Sequence, residues 1–204
     1  MDKLYYISQP DHLQNIQNVC EAGVKLVQLR TKNENSELVM KLALEAQAIC
    51  GKYGATFIIN DQVEITKAIQ ADGVHLGTED MCPLKAREIL GSNFLIGGTA
   101  NTYQDCMDLI AKKVDYIGLG PFQFTETKKK LSPVLGITGY ITILQKLKQN
   151  GHMLPVYAIG GIALPEAKEL QTTDIHGIAV SGLLSNTTLP NISQVLAHCD
   201  FFKN

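Results

Sequence analysis

The chain has 204 residues, 45% of them apolar and 19% charged, with a net charge of −2 and an isoelectric point near 6.2. That length suits one large domain or two small ones with a sizeable core, and the mild acidity argues against a nucleic-acid or membrane-surface protein. Five scattered cysteines, Cys20, Cys50, Cys82, Cys106 and Cys199, form no CxxC pair, which speaks against a disulfide framework or a structural zinc site and for buried thiols in a reducing cytoplasm.

The chain opens with "MDKLYYISQPDHL", which lacks the basic and long apolar regions of a signal peptide. No apolar stretch of about 18 residues follows to span a bilayer, so a cytoplasmic, soluble protein is expected. Short β-rich apolar runs then recur, each followed by a segment of helical period. They are "LYYIS", "VKLVQLR", "ATFIIN", "DGVHL", "FLIGG", "VDYIGLG", "LPVYAIGG" and "IHGIAVSG", eight in all. Between the second and third lies "SELVMKLALEAQAICGKYG", where Leu38, Val39, Leu42, Ala43, Ala46 and Ile49 predict one apolar face and Gly51 predicts the helix end. "TYQDCMDLIAKK" and "GYITILQKLKQNG" behave alike.

An internal echo supports the count: "EAGVKLVQLR", "QADGVHLG", "AKKVDYIGLG" and "TTDIHGIAVSG" each read as a helix end, a small or acidic residue and a buried strand. Near-continuous apolar strands imply a parallel sheet covered on both faces. Eight strand–helix units without a break in composition predict a single (β/α)8 TIM barrel over residues 1–204, with a doubly wound open sheet as the competitor. In such a barrel the chemistry sits where strands end. Those ends carry Gln28, Arg30, Lys32, Asn60, Asp61, Gly77, Glu79, Asp80, Thr99, Thr125, Thr127 and Lys128.

Several of these residues suggest a site for an anion. In "VQLRTK", strand alternation puts Gln28, Arg30 and Lys32 on one face, which is costly to bury unless an anion compensates it. The alternative leaves Arg30 and Lys32 beyond the strand end in solvent. Asp61 in "FIIND" and Asp80 in "GVHLGTED" end adjacent strands. Beside lysines and an arginine, two carboxylates suit Mg2+ shared with a polyphosphate, because Mg2+ takes one or two protein carboxylates and completes its shell with phosphate and water. A helix N-cap by Asp61, or an ion pair with Lys128, remains open. "FTETKKK" taken alone reads as a solvated loop. Gly160, Gly161, Ser181 and Gly182, after the last two strands, let backbone N–H groups approach a phosphate. His75, alternating with apolar neighbours, reads as a hydrogen-bonded core histidine, and no nucleophile–base pair stands out.

Taken together, "VQLRTK", "IINDQVEITKAIQADGVHLGTEDM", "IGLGPFQFTETKKK", "AIGGI" and "GIAVSGLLS" resemble, in order and spacing, the thiamine-phosphate synthase family over nearly the whole chain. That resemblance implies a transferase that joins a diphosphomethyl-pyrimidine to hydroxyethylthiazole phosphate, giving thiamine phosphate and pyrophosphate. It implies that the pyrimidine diphosphate meets Gln28, Arg30, Lys32, Asn60 and Lys128, with Mg2+ on Asp61 and Asp80. The thiazole phosphate falls to Thr125, Thr127, Gly161, Val180 and Ser181, the last three partly through backbone groups. Thr99 stands where the family usually has a serine against the pyrimidine. Arg30, Lys32 and Lys128 would bear the charge of the leaving group. The partners implied are small molecules, with no nucleic acid or membrane, and homo-oligomerisation is left open.

Two rival functions suit the same barrel. The thiazole tautomerase branch resembles this family but uses a histidine just after the fifth strand, where this chain has Asn101 in "GGTANT"; an amide is no general base near neutral pH. A non-catalytic phosphate-ligand sensor on the same barrel would bind without turnover.

Overall fold

A computed structural model describes residues 1–32, 34–124 and 133–197. Eight parallel strands close into a barrel in sequence order. They are β1 (Leu4–Ile7), β2 (Leu26–Leu29), β3 (Thr56–Asn60), β4 (Gly73–Leu76), β5 (Leu95–Ala100), β6 (Tyr116–Leu119), β7 (Val156–Ile159) and β8 (Gly177–Val180). Each is followed by a helix: α1 (His12–Glu21), α2 (Ser36–Tyr53), α3 (Val63–Ile69), α4 (Pro83–Leu90), α5 (Tyr103–Ala111), α6 (Gly136–Gln149), α7 (Leu164–Leu170) and α8 (Leu189–Ala197). Closure is set by β1, where Tyr6 lies opposite Val27 of β2 and opposite Val180 of β8. The TIM barrel expected from the eight runs is the fold, and the open sheet is excluded.

Alternation along each strand divides the core in two. Leu4, Tyr6, Val27, Leu29, Phe57, Ile59, Ile117 and Leu119 face the helical layer. Tyr5, Ile7, Leu26, Ile58, Tyr116, Tyr157 and Ala179 fill the lumen. Three tyrosines meet there edge to face, with Tyr5 5.7 Å from Tyr116 and Tyr116 5.8 Å from Tyr157 between ring centroids, an arrangement that suits the aromatic quadrupole. The Tyr116 ring fits because residue 97 is glycine: a Cβ there would lie 2.1 Å from Tyr116 Cζ.

Two local expectations are corrected. Helix α2 does not stop at Gly51 but continues to Tyr53. Gly54, at φ 60°, ends it in the left-handed region, and Ala55 N–H reaches back to the Cys50 carbonyl at 2.9 Å, a Schellman closure that requires glycine where the chain reverses. Its buried stripe is Val39, Ala43, Ala46 and Cys50, while Leu38 is 38% exposed. The stripe follows the contact of α2 with α1 and β3, where small alanines let the backbones approach. The second correction is that β2 ends at Leu29, so Arg30 and Lys32 do not share a strand face with Gln28.

The helix-to-strand turns repeat one device. Asp72, just before β4, accepts a 2.7 Å hydrogen bond from the Phe57 N–H of β3. Asp115, just before β6, accepts one of 2.7 Å from the Ile96 N–H of β5 and one of 2.6 Å from Arg87. In these two echoes the acidic residue ties its strand to the one before it, whereas Asp174, before β8, pairs with Lys148 at 2.8 Å instead. Cys20, Cys50 and Cys106 are buried free thiols and Cys82 is exposed. Among the described residues no helix is long and apolar enough to cross a membrane.

Candidate active site

The C-terminal rim gathers residues from β2, β3, β4 and β5. Arg30 follows β2, and its backbone N–H donates to Ser8 Oγ at 3.1 Å. Burial lowers its guanidinium from the ordinary value, and the charge of Asp61 acts in the opposite direction. Lys32, two residues on, is exposed. Asn60 closes β3 opposite His75 of β4.

Asp61 comes next at φ 62°, a left-handed conformation that costs a non-glycine residue about 1–2 kcal/mol. Its N–H still reaches the His75 carbonyl at 2.9 Å, so the turn is held by the neighbouring strand. Asp80 sits in the β4–α4 loop, where its Oδ2 accepts the Gly77 N–H at 2.7 Å. The two carboxyl groups are close enough to act on each other's charge. Burial first, then Asp80, pushes the Asp61 carboxyl up to about 7, against the opposing pull of Asn60 and Arg30. Burial and the neighbouring acid thus both disfavour the charged form of Asp61, a penalty that a cation placed between the two would offset. Asp61 is not a helix cap: α3 has Gln62 at its N-cap, without a side-chain hydrogen bond. Among the described residues no three His, Cys, Asp or Glu side chains gather around one point, so protein oxygens alone would leave a cation's shell unfilled.

Gln28 lies deeper than the rim. It is 1% exposed, inside the barrel, and its Nε2 donates to the Tyr5 hydroxyl at 2.5 Å. Thr99, half-buried near the end of β5, bonds His75 Nε2 at 3.0 Å. His75 Nδ1 meets the Tyr116 hydroxyl at 3.2 Å, and burial lowers the imidazole to about 4. His75 is therefore a neutral, hydrogen-bonded core histidine. Thr99 and Asp80 also line a cleft of about 300 Å³ that opens toward α4 and α5, where Pro83, Asp105, Asp108 and Lys112 complete its wall.

On the opposite side of the mouth, Gly160 and Gly161 turn at φ 92° and 73°. Gln123, after β6, spans to this turn: its N–H donates to the Gly160 carbonyl at 3.1 Å, and its Nε2 to the Gly161 carbonyl at 2.5 Å. A Cβ on Gly161 would lie 2.5 Å from Gln123 Cγ. The Val180 side chain packs in the helical layer, and its backbone stands opposite Tyr6 in the β1–β8 ladder. The Ser181 hydroxyl donates to the Ile7 carbonyl at 2.7 Å, so its proton is committed and its backbone N–H is the remaining donor. Thr125, Thr127 and Lys128, with Lys129 and Lys130, lie outside the described residues.

The structure thus brings Arg30, Asn60, Asp61, Asp80 and Thr99 to one rim and puts Gln28 beneath them. Sequence reasoning missed Tyr5, Tyr116 and Gln123. For the tyrosines there was a faint signal, in that large phenols alternate into a lumen where facing strands carry glycines; for Gln123 there was none.

Residues 4–184 match the family described as thiamine monophosphate synthase. The thiamine-phosphate synthase of Flavobacterium johnsoniae is 49% identical over 190 residues, which cover 91% of this chain and 90% of that protein. The thiamine-phosphate synthase of Flavobacterium psychrophilum is 49% identical over 193 residues, covering 93% and 94%. Among solved structures, the thiamine phosphate pyrophosphorylase of Pyrococcus furiosus superposes with a TM-score of 0.86 at 26% identity, over 99% of this chain and 97% of its own. With one family matched from the first strand to beyond the last, the chain belongs to the thiamine monophosphate synthase family.

Proposed function

We propose that the chain is a thiamine-phosphate synthase, a transferase that couples a diphosphomethyl-pyrimidine to hydroxyethylthiazole phosphate with release of pyrophosphate. One observation carries the reading: within a barrel of this family, the left-handed turn at Asp61 and the Gly77 N–H bond to Asp80 set two interacting carboxyl groups on the C-terminal rim beside Arg30. This is an oxygen donor set short of partners, and it fits Mg2+, which completes its shell with phosphate oxygens and water. When bound there, Mg2+ supplies positive charge that offsets the diphosphate.

The remaining work falls to the chain's own residues. Arg30, Lys32 and Lys128 hold the diphosphate and bear its rising charge as the carbon–oxygen bond breaks, which stabilises the transition state electrostatically. Gln28, Asn60 and Thr99 orient the pyrimidine. Thr125, Thr127 and the backbone of Gly161, Val180 and Ser181 hold the thiazole phosphate, so that the ring nitrogen stands in line with the methylene cation left behind. No protein base is required. Asn101, where the tautomerase branch has a histidine, donates its amide to the Gly120 carbonyl, a structural hydrogen bond that moves no proton. The same reading puts the enzyme in the cytoplasm as a monomer or homo-oligomer.

Mixing both precursors with Mg2+ should release pyrophosphate and form thiamine phosphate, and EDTA should stop both. No product with Mg2+ would overturn the functional reading, and undiminished product in EDTA would overturn the metal role.

A further inference from the structure

Five side chains from five strands form one hydrogen-bonded line across the lumen. Gln28 Nε2 meets Tyr5 at 2.5 Å, Tyr5 meets Tyr116 at 2.9 Å, Tyr116 meets His75 Nδ1 at 3.2 Å, and His75 Nε2 meets Thr99 at 3.0 Å. The first four are buried, at 1%, 2%, 0% and 7% exposure. Each phenol has one proton, and a neutral imidazole has one N–H and one bare nitrogen.

A buried hydroxyl proton left without an acceptor is costly, so each phenol must pass its one proton along, and the direction of the whole line follows from its first member. The Gln28 amide nitrogen only donates, so Tyr5 accepts from it and gives its own proton to Tyr116. Tyr116 gives its proton to His75 Nδ1, which leaves the imidazole proton on Nε2, aimed at Thr99. Thr99 Oγ1 is thereby made an acceptor inside the barrel, and its own proton is turned outward, to the cleft it shares with Asp80. Were the Gln28 amide reversed, every proton would reverse with it, and Thr99 would offer the cleft only lone pairs.

We propose that Tyr5, Tyr116 and His75 are positioning residues that make the Thr99 hydroxyl a fixed hydrogen-bond donor, selecting a substrate with a ring-nitrogen lone pair at that point. The proposal deepens the functional reading above, since it takes Thr99 to face the pyrimidine. Donation to a lone pair already present in the bound substrate stabilises ground and transition states alike, so its loss raises KM and spares kcat.

The test has two arms on the full-length protein. In the first, isotope-labelled histidine and two-bond nitrogen–proton correlations identify which His75 nitrogen carries the proton in the ligand-free protein, the resonance being assigned by its loss in His75→Asn. The proton is expected on Nε2, and a proton on Nδ1 overturns the proposal. This arm needs no turnover, so its result stands apart from whether the chain makes thiamine phosphate.

In the second arm, Tyr116→Phe, which keeps the ring against Gly97, and Thr99→Val are assayed singly and together. Each single change should raise KM for the pyrimidine diphosphate on the order of tenfold, the worth of one neutral hydrogen bond, with kcat little changed. Thr99→Ser should keep the wild-type KM. The double variant should be no worse than Thr99→Val alone, because both changes cut one line; additive losses, or a fall confined to kcat, overturn the proposal. Should Tyr116→Phe fail to fold, Tyr5→Phe cuts the line one bond earlier and must show the same non-additivity.

Discussion

The two rims of the barrel use aspartate in opposite ways. At the N-terminal rim, Asp72 takes a strand N–H, and Asp115 takes a strand N–H and the Arg87 guanidinium, all at 2.6–2.7 Å. Each charge is met by donors already in place. At the C-terminal rim, Asp61 stands in a left-handed turn with its carboxyl against that of Asp80. The first arrangement contributes stability without chemistry. The second is unfavourable by itself and becomes favourable when positive charge arrives. Backbone strain and a carboxyl held toward its protonated form, together at strand ends, point to a functional site.

The sharpest way to break this comparison is Asp61→Ala. It should lower turnover by about 10²–10³-fold, the usual cost of removing one charge-stabilising group, while the protein stays folded. A steady-state assay at saturating precursors and fixed Mg2+ checks it, and an active variant would dissolve the contrast between the rims.

The lysine run sharpens the same point. Lys128→Ala should cost a similar factor of about 10²–10³, or roughly 2.7–4 kcal/mol, whereas Lys129→Ala and Lys130→Ala should change little beyond a salt-dependent effect on substrate capture. If all three fall equally, the loop acts as a diffuse positive patch.

Asp115→Ala should invert the pattern. Losing the bonds to Ile96 N–H and Arg87 should cost about 1–3 kcal/mol of stability, read from denaturant midpoints, with turnover per folded molecule unchanged.

The smallest effect lies in the pH dependence. Between the ordinary carboxylate value of 3.8 and about 7, the folded protein keeps a proton on Asp61 that the unfolded chain has released. Stability of the metal-free protein should therefore fall as pH rises through that window. Asp61→Asn should flatten the fall, and urea midpoints from about pH 4 to about pH 8 would measure it. An equal slope in both proteins would mean that Asp61 is not the group held protonated.

Residue chemistry and period were enough to read the eight strands, the barrel, and the rim on which Arg30, Asn60, Asp61, Asp80 and Thr99 collect. This is because alternation tells inside from outside, and βα loops always open at one end. Local signals were weaker at the edges of elements. Gly51 and Gly54 look equivalent in sequence, and only the need for φ 60° where α2 turns back to β3 selects Gly54. Likewise "VQLRTK" keeps alternating past Leu29, but the β2 ladder to β3 stops there, so Gln28 parted from Arg30 and Lys32.

What tertiary structure alone decided is which inward residues meet across the lumen. Tyr5 and Tyr116 are 111 positions apart and touch through their hydroxyls. Period assigns each of them a face, whereas the reach across the barrel depends on how eight strands close and tilt. The Asp61–Asp80 contact is of the same kind. Sequence placed both acids on adjacent strand ends, and only the left-handed turn at Asp61 and the Gly77 N–H bond to Asp80 turned neighbours into a facing pair. Side-chain type is carried by the chain itself, but the distance between two charges exists only once the barrel has closed.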